Sequence, residues 1–85
     1  MQMVNIGFGN LISAAHLIAV ISPDSAPSKR LVQNARDQEF LIDATHGKKT
    51  RSLMIMDSGH VVLSSFTTET IGSRLGAAEE VTEED

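Results

Sequence analysis

Leu17-Ile18-Ala19-Val20-Ile21-Ser22-Pro23-Asp24-Ser25-Ala26-Pro27 holds a strand, its stop and the start of a helix in one stretch. Leu17 to Ile21 is a continuous apolar run of strand length. Pro23 ends it, because proline has no N–H to give to a ladder and biases Ser22 towards extended backbone. Asp24 or Ser25 then offers an N-cap, and Pro27 is tolerated in the first turn, where a missing N–H costs nothing. From Ala26 to about Gln38, Leu31, Val32 and Ala35 form one narrow apolar stripe, with Lys29, Arg30, Asn34 and Asp37 largely off it. That spacing predicts an amphipathic helix of about three turns.

Upstream, Met1 to Phe8 reads as a strand ending in Gly7-Phe8-Gly9-Asn10, and Leu11 to His16 as a loop or distorted strand. Downstream, Phe40-Leu41-Ile42 is a short strand leading into a loop from Asp43 to Thr50. Leu53 to Met56 and Val61 to Leu63 are apolar strands joined by Asp57-Ser58-Gly59-His60, where Ser58-Gly59 suits a tight turn. Thr67 or Thr68 is placed to cap a short helix that ends near Leu75, with Gly76 as its stop. The strands Leu17–Ile21, Leu53–Met56 and Val61–Leu63 show little polar alternation, so both their faces want burial. Two short helices cover about one face of a four- or five-stranded sheet. The face left over predicts self-association, since apolar area removed from water contributes roughly 25 cal/mol per Å². The expected fold is therefore α+β: a small, mostly antiparallel sheet with one three-turn helix and a short C-terminal helix over residues 1–76, then an acidic tail over 77–85.

A chain of 85 residues, 41% apolar and 21% charged, has the composition of one folded domain. The absence of cysteine excludes disulfides, thiolate zinc sites and a cysteine nucleophile. No apolar run approaches the roughly 18 residues of a membrane span and no signal-peptide pattern opens the sequence, so the expectation is a cytoplasmic protein with no membrane partner. With no Tyr or Trp, and only Phe8, Phe40 and Phe66 as aromatics, a base-stacking platform is not expected. The net charge of −4 is unevenly spread: the last seven residues hold Glu79, Glu80, Glu83, Glu84 and Asp85. The body has seven Lys and Arg against six Asp and Glu, which leaves nucleic acid open as a partner.

Most motif-like stretches have plain readings. Gly7-Phe8-Gly9-Asn10-Leu11-Ile12 lacks the third glycine of a dinucleotide fingerprint and reads as a turn. Gly47-Lys48-Lys49-Thr50 ends like a phosphate-binding loop, but Ile42 stands where the first glycine would be. His16, His46 and His60 lack metal-ligand spacing. Asp57, Ser58 and His60 are the residue types of a hydrolase triad, crowded into one turn where they cannot converge in order. No enzyme, cofactor or small-molecule substrate is expected. His46-Gly47-Lys48-Lys49-Thr50-Arg51 differs, with three permanent cations in four residues on a glycine-containing loop. That pattern suits phosphate contact, with Thr50 and backbone N–H groups as further donors. Three cations bind weakly alone, but repeated around an oligomer they form a multivalent surface.

Asn5-Ile6-Gly7-Phe8-Gly9-Asn10, Ser22-Pro23-Asp24-Ser25-Ala26-Pro27, Ala35-Arg36-Asp37, Leu41-Ile42-Asp43-Ala44-Thr45, Met56-Asp57-Ser58 and Glu69-Thr70-Ile71 with Arg74-Leu75 closely resemble the RemA family, in order and over residues 3–75. The resemblance implies a bacterial transcriptional regulator of extracellular-matrix (biofilm) operons with a fold related to the LytTR DNA-binding domain. It further implies a homo-oligomer closed into a ring of about eight subunits, with double-stranded DNA on the outer surface and no cofactor. The family's DNA-contacting arginine pair falls at Lys48 and Lys49, the next arginine is kept as Arg51, and a further one falls at His16. Lysine keeps the charge but lacks the bidentate fork, so phosphate contact outlasts base or shape reading. Lys29 and Arg30 on the helix are the supporting cations. Glu39 stands where the family has a glycine after the long helix. A ring-forming scaffold without DNA binding, and an RNA-binding ring, are the alternatives that the sequence leaves open.

Overall fold

The apolar runs become strands and the capped stripe a helix. The computed structural model describes residues 2–78. Its elements are β1 (Met3–Gly7), β2 (Asn10–Ser13), β3 (Leu17–Ile21), α1 (Ala26–Asp37), β4 (Leu41–Asp43), β5 (Ser52–Met56), β6 (Val61–Ser64) and α2 (Thr68–Ala78). A short 3₁₀ turn, Ala14–His16, links β2 to β3. Four strands form one sheet in the order β3-β5-β6-β4. Its pairs are antiparallel except β4 with β6, which is parallel. The β3–α1–β4 crossover explains the exception, because α1 carries the chain across the sheet from one edge to the other.

Alternation along β5 and β6 makes two cores. Leu53, Val61 and Leu63 face α1 and pack with Ala35, with Val32, Ile21, Leu41 and Ile55 around them. Met54 and Val62 face the opposite way, against Val4, Ile6, Ile12 and Ile71. The second layer is thus α2 together with the β1–β2 hairpin, which pairs Val4 with Ile12. Ser64 Oγ donates to the Ile6 carbonyl at 2.8 Å and ties the hairpin to the sheet.

This layering changes the expectation of an uncovered sheet face. β1 does not join the main sheet, and Leu11 to Ser13, the strand alternative of the two readings, form its partner, so the hairpin supplies the missing cover. What remains open is narrower. Ile18 on edge strand β3 is 65% exposed, Ile42 on edge strand β4 48% and Leu11 on β2 57%.

The helix ends show how local chemistry and tertiary structure share the work. Ser25 caps α1 by accepting the Ser28 N–H at 3.1 Å, with Pro27 in the first turn. Buried Ser28 then donates its hydroxyl to the Ser22 carbonyl at 2.7 Å, which fixes the strand-to-helix turn. At the other end, Phe40 N–H reaches the Ala35 carbonyl and Glu39 N–H the Arg36 carbonyl, the paired bonds of a Schellman cap. The cap holds Glu39 at φ +62, a conformation that disfavours a side chain with a Cβ. Glu39→Gly is therefore expected to raise stability by about 1 kcal/mol, or about 4–8 °C in Tm at fixed protein concentration. An unchanged melting curve would show that the strain is relieved elsewhere.

Thr67 accepts the Thr70 N–H at 3.1 Å and caps α2. That helix runs through Gly76 to Ala78, past the expected stop, because a helical glycine costs only about 1 kcal/mol. Of the acidic tail expected over 77–85, residues 77 and 78 instead continue α2, and 79–85 lie outside the described residues.

Candidate nucleic-acid interface

The basic loop between β4 and β5 is built from two consecutive turns. Asp43 Oδ1 accepts both the Thr45 N–H at 2.9 Å and the Thr45 hydroxyl at 2.6 Å, and Thr45 itself is buried. Next, the Lys48 N–H donates to the Thr45 carbonyl at 3.0 Å. Its two central residues, His46 and Gly47, lie at φ +58 and +83, the pattern of a type I′ turn. Arg51 N–H then bonds the Ser64 carbonyl at 2.8 Å and starts β5.

The Thr45 hydroxyl and then its N–H hold the Asp43 carboxyl below the usual carboxylate range, assisted by the nearby Arg36 guanidinium against a small desolvation effect. A lowered folded-state pKa means that ionised Asp43 stabilises the fold above pH ~4, and that this contribution is lost as pH falls through the folded value. Asp43→Asn should cost roughly 1 kcal/mol at pH 7, a modest figure because the group is exposed. The gap between parent and variant should close in acid; a pH-independent gap in urea melts would assign the effect to packing.

Around Thr50 the cations converge. Lys49, Thr50 and Arg51 line a recess of about 300 Å³ with Ser22, Pro23 and Asp24 before α1, and Thr67, Thr68 and Glu69 at the start of α2. On the other side of Thr50, Lys29 and Arg36 line a second hollow of about 260 Å³ with Pro23 and Val32. Two helix N-termini therefore open beside the loop, each a partial positive charge that favours anions. Asp24 and Glu69 offset part of that field. Lys48, also exposed, stands at the exit of the type I′ turn.

Lys29, Lys49 and Arg51 thus share one surface. Arg36 joins them and was missed in the sequence, although two helical turns from Lys29 place it on the same side of α1. Arg30 is exposed about 100° further round the helix from Lys29 and lines neither hollow. His16 lies at the far end of the sheet: Leu17 pairs with Met56, whereas Ile21 pairs with Leu53 beside the loop. There His16 Nδ1 is 2.9 Å from Asp57 Oδ2, and the Asp57 N–H donates to the His16 carbonyl.

The turn holding Asp57, Ser58 and His60 forms no nucleophile–base–orienter chain. Ser58 Oγ is 2.7 Å from His60 Nδ1, but Asp57 engages His16 instead. Among the described residues no group of three His, Asp or Glu is placed to hold a metal ion, and no helix is long and apolar enough to cross a membrane.

Over residues 3–75 the sequence matches the family model described as RemA-like, extracellular matrix regulatory protein A-like. The chain belongs to the RemA-like family. Its relatives match this RemA-like chain over nearly their full lengths. One from Geobacillus kaustophilus, named "Putative regulatory protein", is 52% identical over 84 residues, covering 99% of this chain and 97% of its own. Namesakes from Bacillus pumilus and Clostridium perfringens are 53% and 54% identical, covering 98% and 99% of the RemA-like chain and 93% and 94% of their own. The names and the family description are those of regulators. The motif blocks that resembled RemA lie on the hairpin, the α1 N-cap, the last turn of α1, β4 with the Asp43–Thr45 turn, the β5–β6 turn and α2.

Proposed function

We propose that this chain is a DNA-binding transcriptional regulator of extracellular-matrix genes. It assembles into a closed ring with a LytTR-related protomer and carries duplex DNA on its outer surface. The observation that carries this reading is the convergence of Lys29, Arg36, Lys49 and Arg51 around Thr50, with the starts of α1 and α2 beside Lys49 and Arg51. Such a surface matches the spaced negative charges of a phosphate backbone. Four cations from one subunit bind duplex weakly, so the ring is what makes the contact effective.

The sheet order suits a head-to-tail assembly. β3 and β4 are opposite edges, and each presents an exposed isoleucine, Ile18 and Ile42. Joining unlike edges of successive copies is the heterologous contact from which rings close. Lys48 and Lys49 lack a guanidinium fork, so these two positions contact phosphate rather than base edges, which weakens sequence discrimination there.

A scaffold without DNA binding is the second reading, favoured by Asp24 and Glu69 in the same recess as Lys49 and Arg51. Fluorescence anisotropy with duplex DNA and with RNA of equal length, each over a salt series, separates the readings. Salt-sensitive duplex binding by the assembled protein is the expected result. Preference for RNA would redirect the function to an RNA-binding ring, and no binding to either would leave the scaffold.

A further inference from the structure

Phe8 and His46 are two of the three non-glycine residues with positive φ among those described, at +54 and +58. Each is the first central residue of a two-residue turn, Phe8-Gly9 and His46-Gly47, whose glycines lie at φ +78 and +83, as type I′ geometry requires. The third, Glu39, belongs to a helix cap. Phe8 and His46 instead meet each other: their rings stack with centroids 4.8 Å apart and planes 20° from parallel. Phe8 is half exposed and belongs to neither core, so core packing does not account for its ring.

The two sides of this contact differ in rigidity. Phe8 sits at the tip of the β1–β2 hairpin, where Asn5 Oδ1 accepts the Gly7 N–H at 2.7 Å and the Asn10 amide donates to the Gly7 carbonyl at 3.0 Å. Gly7 in turn packs against the Phe66 ring, the ring edge lying at van der Waals distance from its Cα substituent position. The hairpin tip is therefore anchored to the domain. His46 is a central residue of the turn that delivers Lys48, and the next residue, Lys49, reaches the recess. We propose that the Phe8–His46 stack is a clip by which the hairpin holds the basic loop in its phosphate-binding geometry, so that uncharged Phe8 is a positioning residue for anion binding. The loop-holding half of this proposal is independent of what the loop binds; its consequence for DNA rests on the function proposed above.

The test removes the ring without adding strain. Asparagine tolerates left-handed backbone, so Phe8→Asn deletes the stack and leaves the turn accessible, while Phe8→Tyr keeps the stack. In the intact assembled protein, NMR-detected exchange of the Lys48 amide, which is bonded to the Thr45 carbonyl, should speed up about fivefold or more in Phe8→Asn and stay at the parent rate in Phe8→Tyr. Duplex affinity should weaken by a similar factor in Phe8→Asn. That loss should vanish when Lys48→Ala and Lys49→Ala are already present, which a general destabilisation would not produce. If Phe8→Asn fails to fold, His46→Asn removes the other ring and must give the same pattern. Unchanged exchange at Lys48 in a folded variant overturns the clip. Faster exchange in a protein that binds no DNA would uphold the clip and refute the DNA-binding function instead.

Discussion

On a log–log plot of affinity against salt, the parent protein should lose duplex DNA with a slope steeper than about −5, and Lys48→Ala with Lys49→Ala should flatten it markedly. Each phosphate neutralised on a duplex contributes about −0.9 to the slope. The four cations around Thr50 in a single subunit, with Lys48 as a fifth, would bring the slope to about −4.5 if every one met a phosphate. A steeper value therefore requires several subunits on one duplex. Removing two lysines from each of three neighbouring subunits should remove a slope of about 5 and weaken binding by orders of magnitude at low salt. Both side chains are exposed, so the fold and the assembly should survive. A double variant with the parent's slope would defeat the DNA-binding reading, whereas loss of the assembly would make the loop an interface and support the scaffold.

Converting an edge isoleucine to a carboxylate should have an equally large effect on size. Ile18→Asp and Ile42→Asp are each expected to shift the protein from a multimer to its 9.2 kDa protomer in sedimentation at micromolar concentration. The physical reason is desolvation: a charge buried in an apolar contact without a partner costs several kcal/mol, comparable with the whole contribution of a small apolar interface. Since both positions are open to water in the single chain, circular dichroism should show an unchanged fold. A variant that sediments like the parent would remove that edge from the contact. A parent that is itself 9.2 kDa would remove the ring, and the salt slope should then stay no steeper than one subunit allows.

Asp57 shows how partners are chosen by the fold. In the sequence it stands one residue from Ser58 and three from His60, yet the antiparallel pairing of β3 with β5 brings it to His16. The same pairing separates His16 from the basic loop, and the crossover helix brings Lys29 and Arg36 to it.

Interactions within a few residues of one another were readable in the sequence: the Leu17–Ile21 strand, the Ser25 cap and its proline, the three-turn helix, and the Gly59 turn, now at φ +95. Propensity, period and capping chemistry act locally, and the ordered motif blocks added the family. Long-range packing decided the rest. Leu11 to Ser13 alternate too weakly to declare a strand, and only pairing with Met3 to Asn5 makes them one and turns the hairpin into a second layer. Glu39 occupies left-handed backbone because two capping bonds outweigh its strain, and Gly76 stays helical because α2 is held down along β1 and β3. Phe8 and His46, far apart in the chain, stack only because the hairpin and the β4–β5 loop emerge side by side. Periodicity carries no record of contacts between distant segments, whose energy exists only once the chain entropy of bringing them together has been overcome.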